Sequence, residues 1–61
     1  MVRIIKAGKN VRVNKGVLIY VRTDGSVNAE LIEEERVVFI SPNDYICAIF
    51  ISEEVLSWRL R

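Results

Sequence analysis

Apolar and polar residues alternate along much of this chain, and small groups of Gly, Asn, Asp and Ser interrupt the alternation. A period of two in branched and aromatic residues predicts strands, and the interruptions predict turns. The strands expected are 2–6, 10–13, 17–22, 26–32, 36–40, 45–51 and 55–60. In the last, Leu56, Trp58 and Leu60 alternate with Ser57, Arg59 and Arg61, although Ser52 could also N-cap a short helix there.

The stretch "VRTDGSV", residues 21–27, fixes a register. A two-residue Asp24-Gly25 turn would mix apolar and polar side chains on each face. A three-residue loop of Thr23, Asp24 and Gly25 instead pairs Val21 with Val27, Ile19 with Ala29 and Val17 with Leu31. The other face then holds Arg22 with Ser26, Tyr20 with Asn28 and Leu18 with Glu30. Directly opposed residues share a face, so the segregated register is preferred, with Gly25 left-handed in a G1 bulge. An Asn14-Lys15-Gly16 loop would likewise pair Val13 with Val17 and Val11 with Ile19. The inward face expected is therefore Val11, Val13, Val17, Ile19, Val21, Val27, Ala29 and Leu31. The outward face expected is Arg12, Asn14, Leu18, Tyr20, Arg22, Asn28 and Glu30.

"RVVFI" and "YICAIFI" are apolar at nearly every position, so both of their faces need cover. The second apolar set, Val38, Ile40, Ile46, Ala48, Phe50 and Trp58, is too large to leave in water. It implies a homo-oligomer with Val38, Ile40, Ile46, Phe50 and Trp58 at the interface. The fold class expected is all-β: a small SH3-like or Sm-like barrel, or a strongly bent antiparallel meander of six to seven short strands. Neighbours in sequence would pair, and residues 1–61 would form one domain.

Composition narrows the chemistry. A 61-residue chain is marginally stable without disulfides, a metal or a partner. Its single cysteine, Cys47, excludes an intrachain disulfide, and with no His it offers no usual zinc site. Ser41, Ser52 and Ser57 have no His to activate them, and no paired carboxylates face each other in this register. Neither an enzyme nor a cofactor is expected. "EEER", residues 33–36, reads as a solvated turn, because consecutive strand carboxylates cannot converge on a cation. No signal peptide or membrane-spanning run is visible, which points to a cytoplasmic protein with no membrane partner. The lack of Gln beside abundant Ile, Val, Glu, Arg and Lys fits a thermophilic source.

Charge is lopsided although the net is only +1. Before Thr23 lie Arg3, Lys6, Lys9, Arg12, Lys15 and Arg22 with no acid; from Thr23 onward eight acids face three arginines. One account is a nucleic-acid surface, possible partners being single-stranded RNA or DNA, with Arg3, Arg12, Lys15 and Arg22 on phosphates and Tyr20 stacked on a base. The other is complementarity between subunits, the basic half of one chain meeting the acidic half of the next.

"VLIYVRTDGSVNAELIEEERVVFIS", residues 17–41, resembles the first motif of Sm-like RNA-binding proteins. Arg22, Asp24-Gly25 and Ala29-Glu30-Leu31 stand at the motif's basic, turn and returning-strand positions. Ala29 replaces the family's glycine, its uridine-pocket aspartate and asparagine are missing, and "YICAIFI" lacks its Arg-Gly. The resemblance favours a small barrel over a sandwich and carries over no binding residues. The function expected is a non-catalytic, homo-oligomeric nucleic-acid-binding module, the alternative being a structural or protein-interaction module whose self-assembly is the function.

Overall fold

A computed structural model describes residues 1–59, and the side chains of residues 1–56. Six strands and one short helix follow in chain order: β1 (Val2–Lys6), β2 (Asn10–Val13), β3 (Gly16–Arg22), β4 (Val27–Ile32), β5 (Arg36–Phe39), β6 (Tyr45–Ser52) and α1 (Glu53–Arg59). Strands make up most of the described residues and all their pairings are antiparallel, so the fold is all-β with one short helix. Among the described residues, no helix is long and apolar enough to cross a membrane.

The β3–β4 hairpin has the expected register, Val17 opposite Leu31, Ile19 opposite Ala29 and Val21 opposite Val27. The Arg22 amide donates to the Ser26 carbonyl at 2.8 Å and the Gly25 amide to the Arg22 carbonyl at 3.1 Å. Gly25 sits at φ +90°, the left-handed conformation this loop requires. Asp24 completes the turn by accepting from the Ser26 amide and hydroxyl at 2.8 and 2.6 Å. Those two bonds hold the Asp24 carboxyl below its ordinary value.

The remaining topology departs from a meander. A four-stranded sheet runs β1-β6-β3-β4, and a separate two-stranded ribbon pairs β2 with β5. The expected β2–β3 hairpin does not form, because both edges of β3 are already hydrogen-bonded, to β4 and to β6. Gly16 opens β3 rather than ending a loop. A Cβ there would overlap the Ile51 carbonyl oxygen and lie 2.9 Å from the Ser52 Cα. The expected last strand is a helix instead. Ladder partners run out at Ile51 and Ser52, opposite Val2 and Gly16, so residues beyond have no neighbouring strand to join. The Glu53 amide bonds the Lys15 carbonyl at 2.8 Å, and Glu53 and Glu54 suit the positive end of the helix.

The ribbon decides which sheet face is the core, and the two faces are exchanged relative to expectation. Ile5, Leu18, Ile32, Ala48 and Phe50 from the sheet are buried together with Val13, Val38 and Ile40 from the ribbon and its flank. Leu18, expected outside, is fully buried, whereas Leu31 and Val27, expected inside, are 66% and 60% exposed. Val38, Ile40 and Phe50, expected between subunits, are interior residues of one chain. Ile46 is exposed, and the side chain of Trp58 lies outside those described.

Polar contacts tie the ribbon to the sheet along both margins. On one side an Arg3 Nη atom donates to the Arg12 carbonyl at 2.7 Å, while the guanidinium lies 5.7 Å from the centre of the Phe50 ring. On the other, the Tyr20 hydroxyl donates to Glu30 Oε2 at 3.0 Å, and Arg36 at the start of β5 donates to Glu30 Oε1.

Candidate functional site

Two surfaces stand out once the core is assigned, one apolar and one basic. The sheet face turned away from the ribbon is a grid of three rows, half-buried on the inner strands, and at one end Leu56 of the helix lines a hollow with Leu31. Across the strands the rows read Val2–Ile51–Val17–Leu31, Ile4–Ile49–Ile19–Ala29 and Lys6–Cys47–Val21–Val27. The only charged position is Lys6, at a corner. On the outer strands Val2, Ile4, Val27 and Leu31 are 57–73% exposed. The apolar residues of the hairpin were recognised in the sequence, but as the inside of the fold.

The basic surface follows the free edge of β1. Arg3, Lys6 and Lys9 line one groove there with Ile4, Ile5 and Val11, and no carboxylate is among the lining residues. Arg12 adjoins it through the bond that its carbonyl accepts from Arg3. Lys6 and Lys9 belong to the acid-free first part of the chain, yet neither was among the binding residues expected. Their convergence with Arg3 depends on the turn between β1 and β2, whose Gly8 takes φ +86° and donates its amide to the Ile40 carbonyl at 2.7 Å.

The binding residues expected from sequence are divided among different surroundings. Arg12 is exposed on the outer side of the ribbon, and Lys15 is exposed beside Glu53 at the base of the helix. Arg22 is exposed, with its guanidinium 5.6 Å from the centre of the Tyr45 ring. Arg3 is engaged internally, as described above. Tyr20 is no free stacking platform: it is half-buried, bonded to Glu30, and its ring centre lies 5.1 Å from that of Tyr45. Burial, then the Glu30 hydrogen bond, raises its hydroxyl above the ordinary tyrosine value. The bonds from Arg36 and Tyr20 lower the Glu30 carboxyl.

Five carboxylates gather at the opposite end of the strands from Lys6, while Asp24 and Asp44 lie at the Lys6 end. Glu33, Glu34 and Glu35 follow β4, while Glu53 and Glu54 follow β6; hollows there are lined by these residues with Lys15 and Ser52. The sequence's charge split is thus a spatial one, with an acidic pole at the Ser52 end and a basic strip along β1. In comparisons with known proteins, no family model, no curated protein and no solved structure matches this chain.

Proposed function

We propose that this chain is a non-catalytic β module that binds a polyanion, single-stranded nucleic acid in the first instance, along its β1 edge. The observation that carries the reading is the groove in which Arg3, Lys6 and Lys9 converge without a carboxylate. Such a strip concentrates phosphates and releases their counterions, a sequence-independent contribution to affinity. Lys6, Lys9 and Arg12 are exposed cations able to move onto a backbone, whereas Arg3 also holds β1 to β2. Multiple copies in one assembly would strengthen a modest site by avidity.

The test is fluorescence anisotropy of a labelled single-stranded oligonucleotide across a salt series. Affinity should fall steeply with salt, and Lys9→Ala with Arg12→Ala should reduce the slope by about 1–2. No binding at low salt would overturn the reading.

A second reading, that self-assembly is itself the function, draws on the apolar face turned away from the ribbon. Eleven of its twelve positions are apolar, more than a lone soluble sheet normally shows to water.

A further inference from the structure

We infer that the apolar face of the four-stranded sheet, turned away from the ribbon, is closed by a second copy of this chain, packed face to face about a two-fold axis that crosses the strands. This rests on the second reading above, and the face shares Ile4 and Lys6 with the β1 groove.

Size comes first. Four strands about 4.8 Å apart and three rows about 6.8 Å apart give a footprint of about 400 Å². The chain's total surface is 4554 Å². Two facing footprints therefore bury about 800 Å² in all, roughly a tenth of this small chain's surface on each side, the extent of a small, reversible interface rather than a standard-size one. Chemistry comes second. The face offers no ladder edge and almost no charge, so its occupant must be another flat, apolar surface of similar extent. The sheet itself is such a surface, and a two-fold contact requires the same patch on both sides. Stacked sheets lie about 10 Å apart with their strands about 30° from alignment.

Charge then selects between the two possible in-plane axes. An axis along the strands would lay the acidic pole of one copy over that of the other, bringing two sets of Glu33, Glu34, Glu35, Glu53 and Glu54 together. An axis across the strands reverses the rows, so each acidic pole meets the end where Lys6 and Arg22 balance Asp24 and Asp44, and the like charges are kept apart. In that arrangement β1 faces β1 antiparallel. Every residue of the middle row, from Ile4 to Ala29, faces its own counterpart. Lys6 lies over the partner's Val2 at the rim, where its ammonium reaches water along an aliphatic stem.

The experiment combines mass and proximity. Sedimentation equilibrium at micromolar concentration should return twice the 7.0 kDa chain mass for the wild type. The doubly substituted Ile4→Lys, Leu31→Lys chain should return one chain mass with an unchanged circular dichroism spectrum, because both positions are exposed in the single chain. Ile4→Cys in a Cys47→Ser background should be joined into a covalent dimer by a short bismaleimide, the two positions being about one sheet spacing, 10 Å, apart. With the axis along the strands, the two would be offset by about 14 Å more along the sheet. A wild type that sediments as a single chain, or a dimer that survives both lysines, would overturn the inference. A dimer that resists the cross-link would overturn its antiparallel arrangement.

Discussion

Ile19 of β3 lies directly opposite Ile49 of β6 at the centre of the sheet face turned away from the ribbon. Its chain neighbour Leu18, opposite Phe50, is fully buried under the ribbon. One residue step therefore separates the core of the single chain from its open side.

That contrast makes a stability prediction. Leu18→Ala should cost about 2–5 kcal/mol, because it leaves a cavity between sheet and ribbon. A chain of this size has only about 3–9 kcal/mol in all, so the variant should be largely unfolded on mild heating. Ile4→Ser, on the open face, should leave the unfolding of the dilute chain nearly unchanged. Denaturant melts of both at low concentration measure the difference; equal losses would contradict the assignment of faces.

The glycines make the second prediction, by two different mechanisms. Gly25→Val should cost about 1–3 kcal/mol through strain at positive φ, with no clash, since nothing lies near the added Cβ. Gly16→Val should be worse, because its Cβ meets the backbone of β6 and must separate β3 from β6. Gly25→Asn, which tolerates the left-handed region, should recover much of the first loss and has no counterpart at Gly16. Thermal melts of the three variants check the order.

The hairpin was legible in the sequence because its information is local. Asp24 and Gly25 specify the loop, and the loop specifies that Val17, Ile19 and Val21 share a face with Leu31, Ala29 and Val27. Which face is covered was not legible. The covering layer joins Asn10–Val13 to Arg36–Phe39, a non-local pairing with no turn between its strands to announce it. Both faces of β3 are apolar enough to be a core, so period-two patterning cannot choose between them. The site suffered similarly. Tyr20 and Arg22 share a face as expected, but Glu30 and Tyr45 engage the tyrosine, and Arg36 of the ribbon holds the other oxygen of Glu30. In the two-fold dimer inferred above, the face first expected to be buried becomes buried after all, between chains.

The Tyr20–Glu30–Arg36 chain predicts a pH dependence. The folded state lowers the Glu30 carboxyl, so its contribution is present above the unfolded carboxylate value and is lost as pH falls through the folded one. Wild type should therefore be more stable than Glu30→Gln at neutral pH, and the gap should close as pH falls below about 4. The Tyr20 hydroxyl is shifted up, so the stability it supplies persists below the unfolded tyrosine value and fades above the folded one. Ultraviolet titration of wild type against Tyr20→Phe should remove a component that titrates above the ordinary tyrosine range. A gap for Glu30→Gln that is constant from neutral to acid pH would show that the carboxylate charge plays no part in joining ribbon to sheet.

The open sheet face is most directly tested by the concentration dependence of thermal unfolding. A chain that buries this face against a second copy is stabilised by mass action, so its midpoint must rise with chain concentration. The midpoint should rise with concentration for the wild type and stay flat for the Ile4→Lys, Leu31→Lys chain, the two converging on dilution. A wild-type midpoint that does not change with concentration while the protein remains folded would contradict it.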